Sequence, residues 1–209
     1  MTDIYRLPMF PLGTVLFPHG PLPLHVFEPR YRRLVADCLA TDRRFGVVLI
    51  ERGFEVGGGD QRFGTGTVAE IVEAAEIGGG RWALICLGVE RVEVDEWLPD
   101  DPYPVAHVRP RPEAGGEPDR SEIDEARRLV ASCAAMRAEL GEPGPPAVVQ
   151  VSDQPSIAVW QLCALAPIGP LDDLALLRLD SPAERLRRLV ALLADERAVL
   201  ARRLGGGQE

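Results

Sequence analysis

The sequence predicts an α+β fold in which a small barrel or curled sheet with one inserted helix precedes a bundle of α-helices. Three observations carry this. Apolar, β-prone segments recur up to residue 108. A run rich in proline and glycine, PRPEAGGEPDR at residues 110–120, breaks the composition. Beyond it the apolar residues recur with helical period. The expected subdomains are residues 1–112 (β) and 119–204 (helical), with 205–209, GGGQE, as a disordered tail.

The first element is Pro8 to Tyr31, PMFPLGTVLFPHGPLPLHVFEPRY, with six prolines in 24 residues. Each proline fixes its own φ and biases its predecessor toward extended backbone, so the path is prescribed without sheet hydrogen bonds. Prolines also argue against a central strand, so edge strands joined by rigid turns are expected. The apolar residues between them exceed what one strand face can bury. After Pro29, a first-turn proline, Tyr31, Leu34, Val35, Cys38 and Leu39 fall on one helical face.

Strands are then expected at Gly46 to Ile50, Thr67 to Ile77, Trp82 to Val94 and Tyr103 to Val108. The third is apolar on both faces as far as Val89, then alternates, with Val92 and Val94 facing one way and Arg91, Glu93 and Asp95 the other. Gly88, at the change, marks a bulge or a close backbone approach. Gly57 to Gly59 and Gly78 to Gly80 have neither a following helix nor a lysine, so they read as hairpin loops and not phosphate cradles.

In the helical half, Ser121 is the expected N-cap of a helix with Ile123, Ala126, Val130, Cys133, Met136 and Leu140 as its stripe, ended by GEPGPP at residues 141–146. A second helix starts near Asp153 or Ser156 and runs to about Ala166, and a short third follows Pro170. The last has Ser181, Pro182 and Glu184 as N-cap, first-turn proline and capping-box acid, with a stripe from Leu186 to Leu204. These stripes read as bundle core.

Composition removes several classes of function. The 209 residues, 46% hydrophobic and 26% charged, are those of an ordinary globular protein. No membrane-length apolar run or secretory signal is present, so a soluble, cytoplasmic protein is expected. The net charge of -9 is spread over both halves, which disfavours nucleic acid and anionic membranes. All 23 cationic side chains are Arg. Without lysine the chain has no P-loop amine, no Ser-Lys dyad and no Schiff base of its own.

Cys38, Cys86, Cys133 and Cys163 lack zinc-ligand spacing and read as small buried residues; no metal and no cofactor are expected. His25 has no serine or cysteine near it, the first serine being Ser121; His19 reads as a turn residue and His107 as part of a strand. The acidic pairs Asp100 with Asp101 and Asp172 with Asp173 sit beside prolines, in turn or helix-start contexts where acids are ordinary.

Leu7 to Leu12, Val15 to Pro18 and Leu22 to Tyr31 resemble the opening of the LON substrate-binding domain family, L-P-x-F-P-L, V-L-F-P and L-P-L-x-x-F-E-x-R-Y. RFGVVL at Arg44 to Leu49, GTVAEI at Gly66 to Ile71, Gly88 to Val92 and Pro102 to Val108 follow in the family's order. The resemblance covers roughly residues 5–204. It implies a PUA-like β pseudobarrel followed by a helical bundle, and a role in recognising protein segments. It does not imply protease activity, which in Lon resides in separate ATPase and Ser-Lys domains.

The expected function is therefore a non-catalytic protein- or peptide-binding module, with an RNA-binding PUA-like protein, or an adaptor delivering substrates to a separate ATP-dependent protease, as alternatives. Segments would bind by apolar contact or by adding a strand. The candidate peptide-binding residues are Phe10, Phe17, Leu22, His25, Phe27, Glu28, Arg30 and Tyr31. For Glu28, Arg30 and Tyr31 two readings stand: they grip a peptide backbone or terminus, or they fix and anchor the helix start. Expected partners are unfolded or partner polypeptide segments, a protease among them; association between copies stays open.

Overall fold

The computed structural model describes residues 3–52, 61–142 and 149–205. The expected loop at Gly57 to Gly59, most of the GEPGPP run and residues 206–209 of the tail lie outside them. The chain divides into two compact units, Met1–Pro112 and Glu113–Glu209.

The first unit is a mixed sheet with one helix. Its elements are β1 (Tyr5–Leu12), β2 (Pro21–Val26), α1 (Pro29–Leu39), β3 (Arg44–Arg52), β4 (Gln61–Glu76), β5 (Trp82–Leu98) and β6 (Val105–Pro110). The strands run in the order β2-β5-β4-β3-β1-β6, and β5 also pairs with β6. Thus β5 holds β2 along its first half, Trp82 to Leu87, and β6 along its second, from Val92 to Leu98.

β1 departs from the expectation of an edge strand, because it lies between β3 and β6. Its prolines are tolerated because each half has a single partner. Met9 to Leu12 pair in parallel with β3, and Tyr5 to Pro8 pair antiparallel with β6. Locally each half is an edge, where a missing N–H can face away from the ladder. β2, with Pro21 and Pro23, does end the strand order.

Both faces of β1 are covered, which explains its excess of apolar residues. Phe10 and Leu12 enter a core with Tyr31, Leu34, Val35 and Cys38 of α1 and with Phe45, Ile71 and Leu84. Leu7 and Met9 enter a second, with Val48, Val68, Val92, Ala106 and Val108.

The Phe17 to Gly20 turn locks onto β5 at Gly88. His19 N–H donates to the Gly88 carbonyl at 2.8 Å, and Gly88 N–H donates to the Gly20 carbonyl at 2.9 Å. A Cβ on Gly88 would lie 2.1 Å from the Phe17 carbonyl oxygen, so the expected close approach is present. The bulge follows at once: Ala69 opposes Gly88 and Thr67 opposes Arg91, leaving one extra residue on β5. Arg91 lies on the other face from Val92 and Val94, in keeping with the alternation. It is buried, 3% exposed, and its guanidinium donates to the Pro112 carbonyl at 3.0 Å.

The second unit is helical: α2 (Arg120–Glu139), α3 (Pro155–Leu165), α4 (Pro170–Arg178) and α5 (Pro182–Gly205). Asp119 and not Ser121 caps α2. Its carboxylate accepts the Ser121 N–H at 2.7 Å, one residue before the helix, where the first free N–H groups are within reach. Ser181 caps α5 as expected, its hydroxyl accepting the Glu184 N–H at 3.3 Å.

Arg185 has no exposed side-chain surface. Its guanidinium lies 3.4 Å from the Trp160 ring centroid and donates to Glu113 at 2.6 Å and to the Leu176 and Leu179 carbonyls. Buried charge of this kind persists only when every donor is matched.

Candidate functional site

Because β2 ends the strand order, one of its edges has no neighbouring strand among the described residues. Two cavities meet along it and share Pro23, Leu24 and His25. The larger, about 710 Å³, is a groove on the outer face of β2, β5 and β4. Alternation decides which side chains form it. Leu24, Leu84 and Ala74 belong to the core, so Pro23 and His25, Ala83 and Ile85, and Glu73 and Ala75 project the other way.

The floor is apolar. Ile85 is 43% exposed, and the next outward residue of β5, Leu87, is also exposed. A one-residue shift at Val72 sets Glu73 opposite Ile85. Glu73 is exposed and makes no ion pair among the described residues, whereas Glu70, opposite Leu87, holds Arg44 at 3.0 Å. Among the described residues no arginine lines the groove.

The smaller cavity, about 200 Å³, is lined by Phe10, His25, Phe27, Glu28 and Tyr31 of the expected set, with Leu12, Pro23, Leu24 and Val26. Phe10 and Tyr31 stack with ring centroids 4.0 Å apart. The Arg30 guanidinium lies 4.4 Å from the Tyr31 centroid, and its Nε donates to Glu28 at 3.1 Å. Glu28, Arg30 and Tyr31 thus bind one another where α1 begins. Phe10 and Tyr31 are buried, while His25 and Phe27 are exposed, Phe27 to 57%. Phe17 and Leu22 lie in neither cavity: both are buried, Leu22 in the α1 core opposite Cys86.

A third cavity, about 910 Å³, is lined by polar and apolar side chains together, Asp37 and Tyr103 among them. The Tyr103 hydroxyl donates to Asp37 at 2.9 Å. Burial pushes the Asp37 carboxyl up, but the hydrogen bonds from Tyr103 and Arg33 outweigh it and hold it below its usual range. Burial, and then the bond to Asp37, push the Tyr103 phenol up to about 12.

The thiols are held in their protonated form by burial. All four cysteines are free and buried, and burial pushes Cys38, Cys86 and Cys163 up to about 12. Among the described residues no three His, Cys, Asp or Glu side chains gather to hold a metal ion. No helix of the described residues is long and apolar enough to cross a membrane. The outer groove combines an apolar floor with one exposed carboxylate, Glu73.

Sequence reasoning missed Glu73, Ala83 and Ile85. They join the site through strand register alone, and no local pattern announces them.

Residues 6–195 match the profile of the ATP-dependent protease La (LON) substrate-binding domain. Among curated proteins, the Lon protease of Anaeromyxobacter dehalogenans is 28% identical over 188 residues, which cover 88% of this chain and 21% of that protein. Lon protease 2 of Myxococcus xanthus is 29% identical over 180 residues, 85% of this chain and 20% of that protein. The chain therefore spans about a fifth of the length of these relatives. Among solved structures, a Lon N-terminal domain protein from Xanthomonas campestris superposes with TM-score 0.64 at 30% identity, covering 90% of this chain and 98% of that one. The N-terminal domain of Mycobacterium avium complex Lon protease has the same fold, with TM-score 0.61 at 16% identity over 91% of this chain and 99% of its own.

Proposed function

This chain belongs to the LON substrate-binding domain family, and from that premise we propose that it is a non-catalytic module that recognises exposed polypeptide segments. The observation that carries the reading is the outer groove, about 710 Å³ and floored by apolar side chains that a folded monomer has no reason to display. His25 and Phe27, exposed beside the shared wall of the two cavities, touch the bound segment directly. Glu28 and Arg30 hold the start of α1 behind them, and Phe10, Phe17, Leu22 and Tyr31 support the wall from the core.

In the same reading the β unit is a PUA-like pseudobarrel. Its support is the second pairing of β5, which joins β6 at the far end of the strand order as well as β2.

The test is binding of a reduced, alkylated and therefore permanently unfolded polypeptide, followed by fluorescence anisotropy. The expected result is saturable binding that the folded, oxidised form of the same polypeptide lacks. Ile85→Asp and Phe27→Ser are each expected to weaken it about tenfold or more, as loss of a central apolar anchor does. Equal binding by wild type and both variants would overturn the reading.

A further inference from the structure

The groove is one-sided in its polar chemistry, and this bears on what it selects. Since Gly88 N–H donates to the Gly20 carbonyl, the Gly20 and Gly88 pair is hydrogen-bonded. Antiparallel alternation then turns the polar backbone atoms of Leu22, Leu24 and Val26 toward β5 and those of Pro21, Pro23 and His25 toward the open edge. Pro21 and Pro23 have no N–H. The edge therefore displays three carbonyl acceptors and a single backbone donor, that of His25.

A segment adding itself as a further strand would leave its own carbonyls opposite Pro21 and Pro23 without donors. Each unmatched buried carbonyl costs about 1–3 kcal/mol. Side-chain capture in the groove incurs no such loss. Across the floor from β2, about 10 Å away at two strand spacings, stands Glu73, an exposed carboxylate with no ion pair among the described residues. Among the described residues the groove thus combines an apolar floor, unpaired acceptors on both sides and no arginine, in a chain of net charge -9.

Resting on the binding reading above, we propose that the groove selects polypeptide segments in which an apolar residue stands next to an arginine or lysine, and holds them by side chains instead of strand addition. The apolar side chain lies on Ala83 and Ile85. The cation meets Glu73 in a charge-assisted hydrogen bond, with the outward carbonyls of β2 as further acceptors.

The probes are labelled Gly-Ser nonapeptides carrying Leu-Arg, Leu-Gln or Leu-Glu at the centre, and a Leu-Arg peptide N-methylated at alternate residues. We expect Leu-Arg to bind about 3–10-fold more tightly than Leu-Gln, and Leu-Glu most weakly, with the spread shrinking at 0.5 M salt on the order of the Debye screening there. Glu73→Gln should erase the preference, bringing Leu-Arg affinity down to that of Leu-Gln. N-methylation should change affinity less than twofold.

If all three peptides bind alike and Ile85→Asp weakens them equally, the groove binds polypeptide but the selectivity is refuted. If N-methylation abolishes binding, strand addition operates and the side-chain mode is refuted. If no peptide binds, or Ile85→Asp has no effect, the groove reading falls and the selectivity with it.

Discussion

Phe10 of β1 and Tyr31 of α1 stack with their ring planes 8° apart and their centroids 4.0 Å apart. This pair fastens the proline-rich start of the chain to its first helix, and Arg30 lies 4.4 Å from the same Tyr31 ring. Tyr31→Ala should cost about 3–5 kcal/mol, the range for deleting a buried aromatic ring. Tyr31→Phe keeps the stack and should cost far less. Urea unfolding of the full chain, read by its midpoint, distinguishes the two.

Gly88→Ala places a methyl group where the Phe17 carbonyl stands, 2.1 Å from the new Cβ. The clash is backbone on backbone, so no rotamer relieves it. The variant should lose about 2 kcal/mol or more, and its amide exchange should quicken at His19 and Gly88, the two donors that pin the Phe17 turn.

The four thiols are buried, and three are pushed up to about 12. At pH 8 the native protein should react with a thiol reagent only as fast as it unfolds. All four should titrate at once in denaturant. Rapid modification of any one in native buffer would contradict the packing described.

Asp173, in the first turn of α4, has a buried Oδ1 that accepts no hydrogen bond; burial, and then Asp172, push its carboxyl up to about 7. The folded form thus holds a proton that the unfolded chain releases near 4. Stability from this group is full below about pH 4, falls as pH rises, and is lost above about pH 7. Asp173→Asn should remove that slope and raise stability at pH 8 by on the order of 1–2 kcal/mol, since the side chain is part-exposed. Urea midpoints from pH 4 to 8, wild type against variant, measure it.

Where a property depended on neighbours in the chain, the residues announced it. The α1 face after Pro29, the Ser181 cap and the Gly88 approach were all readable from local pattern. Arg185 was overlooked although Pro182, Arg185, Leu186 and Leu189 share one buried face of α5. The period was visible there, and charge concealed it, because the matching carbonyls of Leu176 and Leu179 and the carboxylate of Glu113 lie on other segments. The place of β1 between β3 and β6 was hidden for a related reason: the proline rule applies to each half of the strand, and only pairing shows that the halves differ. The groove is the extreme case. His25, Glu73 and Ile85 become neighbours through two strand registers at once.

The prolines at 21 and 23 also govern how such a protein survives at high concentration. Sticky surface beside a bare strand margin is the usual seed of fibrils, in which each copy serves as template for the next. Here the margin is short of donors just where the sticky surface lies. Replacing both prolines with residues that restore the N–H groups should make this margin a template on which further copies of the chain can stack.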